Sequence, residues 1–254
     1  MGDERRAIGV AIGTVGIDAP TWLRLADCIA ELPVDRVWIW DHLIGRGERP
    51  RPALEALALA AAALARNEKI RIGTLVLGVT RRHCAAVASW AATVASYAPG
   101  RLTLGFGAGG DAQEHRRLGI PFPNAERRSA LLEGESGMRR PDPPIELLVA
   151  GDREESIAIA ARAADAWVAP VATFSRGLAS LRRAEAQFGR SPRSVRAMVL
   201  QELGAREVLR ESPFGNDPVG WWSAHRADGA DGGIVTVRSE EDAEALGPLL
   251  GHLR

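Results

Sequence analysis

Asp41 and His42 stand directly after the apolar run Arg36 to Trp40. A histidine so placed can give or accept a proton near neutral pH, and the adjoining carboxylate can orient it or set up the turn. The plainer alternative is that Asp41 caps a turn and His42 packs. A second chemistry-bearing group is glycine-rich: Gly105, Gly107, Gly109 and Gly110 follow Arg101. Glycines let backbone approach a flat ring or a phosphate closely. The spacing is GxGxGG rather than GxGxxG, and no acidic residue ends a second strand about 20 residues later, so a dinucleotide fingerprint is a poor reading. Glycines easing a barrel corner remain the structural alternative.

Ala150, Gly151 and Asp152 precede a helix-like stretch from Arg153, and a helix start approached by small residues suits an anion. Asp152 would cap that helix and repel a phosphate unless it points away. Arg81, Arg82 and His83 read as solvated loop charge, and Trp221 and Trp222 as packing rather than a cleft wall. No metal centre is expected, since Ala7 to Gly13 carries no His or Asp and the five histidines are scattered. Lys69 is the sole lysine and lies before a strand, on the side a barrel uses for stability. Schiff-base, pyridoxal and Walker A chemistries are thereby disfavoured.

These positions need elements that bring strand ends together. Apolar runs short enough for buried parallel strands recur at Ala7 to Ile12, Arg36 to Trp40, Ile70 to Leu77, Leu102 to Phe106, Ile145 to Val149, Ala166 to Val168, Val195 to Leu200 and Gly233 to Val237. Between them lie helix-like segments at Thr21 to Glu31, Ala53 to Arg66, Cys84 to Tyr97, Ala125 to Gly134, Glu154 to Ala164, Arg176 to Phe188, Pro218 to His225 and Glu240 to Leu253. Strict alternation implies a parallel sheet, and eight units imply an α/β fold of the (β/α)8 TIM-barrel type. The ends after Trp40, at Thr74, Leu75 and Val76, and at Gly105 to Gly110 would then open onto one catalytic face.

The 254 residues, 46% of them hydrophobic, suit a single domain over 1–254. Lys+Arg and Asp+Glu each total 32, so no overall field attracts nucleic acid or anionic lipid, and a small organic substrate is expected. Cys28 and Cys84 form no paired motif, and Met1 to Arg6 leads into no apolar h-region; a cytoplasmic protein without a membrane span is expected. The helix Ala53 to Ala65 lacks a polar side and needs cover, from a homodimer contact or from the chain's own helices.

Taken together, "DRVWIWDHL" at 35–43, "KIRIGTLVLGVTRRH" at 69–83, "GRLTLGFGAGG" at 100–110 and "PPIELLVAGDREESIAIAARAADAW" at 143–167 resemble the luciferase-like monooxygenase family, whose barrels use F420 or FMN. The resemblance implies a reduced deazaflavin or flavin across the barrel mouth and hydride transfer between F420 and a small organic molecule, FMNH2-dependent monooxygenation being the alternative. An inactive flavin-binding homologue is the third reading. It implies a catalytic role for His42 supported by Asp41, and cofactor contacts from Thr74, Leu75, Val76, Gly107, Gly109, Gln113, Ala150, Gly151 and Asp152. A non-prolyl cis peptide is implied at Leu75 to Val76. The chain departs from relatives at Gly110, where some carry a glutamate, at Asp152 and at Cys84. It also has a shortened insertion between helix four and strand five, so a wider and wetter pocket is expected.

Overall fold

The computed structural model describes residues 7–45, 51–137, 144–204 and 207–253. Strand β1 is Ile8–Ile12, β2 Val37–Ile39, β3 Ile72–Thr74, β4 Leu77–Gly78, β5 Leu102–Gly107, β6 Glu146–Ala150, β7 Ala166–Pro170, β8 Arg196–Gln201 and β9 Gly232–Val237. Each pairs in parallel with its neighbours, and the sheet closes because β3 and β4, two pieces of one stave, both pair with β5. The result is an eight-staved (β/α) barrel. Its register puts Ile39 beside Thr74, Gly78 beside Gly107, and Ala150 beside both Gly107 and Val168, so these strand ends share one face.

The helices are α1 (Ala19–Ala30), α2 (Ala56–Arg66), α3 (Cys84–Tyr97), α4 (Ala112–Leu118), α5 (Ala125–Ser136), α6 (Glu154–Ala163), α7 (Val171–Gln187), α8 (Pro213–Asn216), α9 (Pro218–Ala227) and α10 (Glu240–Gly251). Helix α4 has no counterpart in the sequence reading. It is short, polar and without an apolar stripe, and only its caps betray it. Asp111 accepts the Glu114 N–H at 2.9 Å, and Gly119 closes the helix at φ 66°. Helix α7 starts earlier than expected, because β-branched Val171 and Thr173 hide its first turn from a propensity argument. The short link after α5 lies in 137–145, of which 138–143 fall outside the described residues.

Alternate residues of a strand face the barrel interior, and here they sort into layers. Trp38, Leu148, Met198, Ala11, Ala166, Val168 and Ile234 form the apolar middle. Two residues nearer the amino end, Arg36 donates to Thr103 and to Glu146, and Arg196 pairs with the same glutamate, so an ionic floor closes the stability side. Two residues nearer the carboxyl end, Trp40, Ala150 and Leu200 rest on the middle layer together with Leu75 and Val76. That upper layer is the floor of the mouth. Lys69 reaches Glu31 at 2.7 Å on the exterior, as a surface charge should.

Candidate active site

His42 leaves the end of β2 with its ring edge-on to Trp40, 6.2 Å between centroids. Its side chain is 29% exposed, and Nδ1 is buried without a hydrogen-bond partner, 3.6 Å from Glu114 Oε2. Glu114 comes from α4. It accepts the N–H groups of Leu43 at 2.5 Å and Ile44 at 3.3 Å and pairs with Arg81. Burial works against its charged form, but the Leu43 N–H and the Arg81 guanidinium outweigh burial and hold the carboxyl below its ordinary value. The charge beside His42 is therefore Glu114.

Asp41 is placed differently from the expectation that it supports His42. Only 3% exposed, it accepts the Gly78 N–H at 3.0 Å and one Arg82 N–H at 2.8 Å, with Arg81 at 3.5 Å. Arg81 also donates to the Asp41 carbonyl at 2.5 Å. Asp41 thus ties the loop after β4 to the end of β2, and the reading of Arg81 and Arg82 as solvated loop charges is corrected. A carboxylate inside the fold needs those cations as partners.

Thr74 is fully buried, and its Oγ1 donates to the Gly105 carbonyl at 3.0 Å and accepts the Gly105 N–H at 2.8 Å, which clasps two staves. Leu75 and Val76, joined by a cis peptide, do line the mouth, as do Gly107 and Gly109. Gln113 does not. On α4 it points to solvent, while the next two residues, Glu114 and His115, turn inward. His115 donates from Nδ1 to the Asp111 carbonyl at 2.7 Å and meets Thr80 Oγ1 at 2.7 Å, fastening α4 to the loop after β4.

At the opposite end of the mouth, Gly151 sits at φ 141°, and a Cβ there would lie 2.9 Å from Ser156. Only glycine lets the loop lie so close over the first turn of α6. Asp152 is exposed on the rim and does not cap that helix. The cap position is Arg153, which makes no side-chain cap bond. Arg128 and Arg153, with Ser129 and Ser156, line this end, and the whole cleft encloses about 540 Å³ between His42 and Ser156. Trp221 and Trp222 are 7% and 3% exposed. Trp221 packs edge-on to Phe214 and His225, so the packing reading holds.

His42, Asp111 and Glu114 bring potential metal-ligand atoms within 4.8 Å of one another. Both Glu114 oxygens are already engaged, by the Leu43 N–H and by Arg81, and Asp111 Oδ1 accepts the Glu114 N–H as the cap of α4. The sequence alone does not single out Asp111, Glu114, Arg128 or Ser156. The cap spacing from Asp111 to Glu114 was the available signal.

The chain matches the luciferase-like monooxygenase family model over residues 7–133. It is 32% identical over 160 residues to an F420-dependent glucose-6-phosphate dehydrogenase of Beutenbergia cavernae, covering 53% of this chain and 47% of that protein. A 4-hydroxyprotoasukamycin monooxygenase of Streptomyces nodosus subsp. asukaensis is 32% identical over 127 residues, covering 46% of this chain and 33% of its own length. The aligned stretches thus span less than half the length of these relatives. Among solved structures, an F420-dependent secondary alcohol dehydrogenase with an F420-acetone adduct superposes with TM-score 0.81 at 14% identity, covering 97% of this chain and 98% of that one.

Proposed function

We propose that this chain, which belongs to the luciferase-like monooxygenase family, is an F420-dependent oxidoreductase acting on a small organic molecule. One observation carries the reading. A single elongated cleft has Leu75 and Val76 on its floor, His42 with a free buried Nδ1 at one end, and the Gly151 turn over an uncapped helix start at the other. Those parts fit a flat tricyclic ring carrying a phosphorylated tail. F420 supplies hydride chemistry at its ring when bound.

The residues divide the work by place. Leu75 and Val76 lie against the ring, and Gly107 and Gly109 admit backbone close to it. Ala150 and Gly151 leave room for the tail phosphate at the start of α6, the Gly151 N–H itself being held by the Val168 carbonyl at 3.2 Å, and Arg128 and Arg153 add positive charge. His42 holds a hydrogen bond or a proton at its imidazole beside the reacting centre, and Glu114 keeps a negative charge near that ring. Asp41 acts through the loop it anchors. Asp152 remains a rim contact.

The chain is read as one domain over 1–254 that works in reducing cytoplasm. Cys28 and Cys84 are both free, and among the described residues no helix is long and apolar enough to cross a membrane. A homodimer is part of the reading. The inner faces of α2 and α3 pack on the barrel, but Ala58, Ala62, Ala85, Ala92 and Ser96 remain exposed, and α3 has no charged residue anywhere from Cys84 to Tyr97. Fluorescence titration with F420 and with FMN tests the cofactor. F420 binding tighter than FMN is expected, the reverse order selects the monooxygenase alternative, and binding of neither refutes the proposal.

A further inference from the structure

A second cleft of about 550 Å³ adjoins the first and shares His42, Leu75, Leu200 and Glu202 with it. Its walls combine apolar Val15, Ile17, Ile44 and Leu203 with two arginines, Arg51 and Arg238. Each arginine is held in place. Residues 51–53 are pinned by the Gly45 N–H to the Arg51 carbonyl at 2.8 Å, the Gly16 N–H to the Pro52 carbonyl at 3.1 Å, and the Val15–Ala53 bridge. The Arg51 guanidinium lies flat against Gly16, where a Cβ would sit 2.5 Å from Nη1 at φ 70°. Arg238 lies over the Trp40 ring at 5.6 Å and donates to the carbonyls of Leu203 at 2.7 Å and Gly204 at 3.1 Å.

Neutral carbonyls fix the orientation of Arg238 but leave its charge uncompensated. Among the described residues, neither guanidinium has a carboxylate partner. The arginines after β4 do: Arg81 pairs with Glu114 and Asp41, and Arg82 with Asp41 and Glu55. Glu202 also borders this cleft, so two guanidinium charges face one carboxylate. Positive charge left unpaired in a concave site with apolar walls favours an anion carried on an apolar body.

We propose that this second cleft is the substrate chamber and that Arg51 and Arg238 select an organic anion, a carboxylate or a phosphate ester, with its reacting carbon directed toward His42. The proposal rests on the cofactor reading above in naming the substrate side of the same mouth. The volume suits a small organic molecule.

The test is calorimetric titration of purified protein with benzoate, with phenyl phosphate and with benzyl alcohol, alongside F420 titration of the same preparation. Binding of an anion but not of benzyl alcohol is expected, and the tighter of the two anions names the acid. Arg51→Gln and Arg238→Gln should each weaken that anion about tenfold or more, the scale of a lost charge-assisted contact, while F420 affinity stays within about threefold. Arg51 is exposed, so Arg51→Gln keeps the test informative if Arg238→Gln fails to fold. Equal binding of anion and alcohol, no binding of either anion, or anion affinity unchanged in a folded Arg51→Gln protein would overturn the proposal. Anion binding lost in the variants while F420 fails to bind even wild type would instead retain the anion site and refute the cofactor reading.

Discussion

At the residue scale, His42 is distinguished by what it lacks. Its Nδ1 is out of water with no partner, and the nearest carboxylate stands at 3.6 Å, beyond hydrogen-bond reach. A buried polar atom left unsatisfied costs stability, and a bound group or a small shift of the ring toward Glu114 would relieve it. His42→Ala is expected to lower kcat about 100-fold or more, the scale of a lost general acid or base, with F420 affinity nearly unchanged. Steady-state kinetics together with the F420 titration check this, and an unaltered kcat would remove His42 from the chemistry. The sequence made the histidine legible because it ends a strand, but not the identity of its neighbour. Asp41 is adjacent in the chain, yet its carboxylate is taken up by the Gly78 N–H and Arg82, so the carboxylate near the ring comes from α4.

At the element scale, the barrel strands were legible and α4 was not. Buried parallel strands announce themselves as apolar runs, whereas a seven-residue polar helix has no periodic stripe to read. That helical turn decides how Gln113, Glu114 and His115 are placed, leaving Gln113 exposed and the other two buried. The Thr74 hydroxyl meets Gly105 across the stave, a pairing invisible along the chain.

The ionic floor supplies the element-scale prediction. Burial opposes the charged form of Glu146, but Arg36 and Arg196, with the Thr103 hydroxyl, outweigh burial and lower its pKa below the ordinary 4.5. Its contribution to stability is therefore present above pH 4.5 and lost as pH falls through the lower folded value. Glu146→Ala leaves Arg36 without its cross-barrel partner and is expected to cost about 3 kcal/mol at neutral pH, the low end for a broken buried pair. Urea denaturation at neutral and acidic pH measures both effects, and the gap between variant and wild type should narrow in acid.

At the scale of the whole molecule, period-two layering explains how one barrel provides both a closed end and an open one. The sequence Arg36, Trp38, Trp40 climbs from ionic floor through apolar middle to the mouth, and Glu146, Leu148, Ala150 repeats that order on β6. The mouth is not plugged, because its upper layer combines glycines and small residues with a few large side chains. The exposed, uncharged side of α3 belongs to this scale also. If two copies bury it together, Ala92→Glu should convert a dimer to a monomer in sedimentation velocity while leaving the thermal transition cooperative. A wild-type monomer at micromolar concentration would contradict the dimer.

The crystal structure of the F420 complex bears most directly on the central claim. The account predicts the tricyclic ring against Leu75 and Val76 with its reacting edge toward His42, and the tail phosphate at Gly151 and Ser156. A ring lodged between Arg51 and Arg238, or a tail that leaves the Gly151 turn untouched, would contradict it.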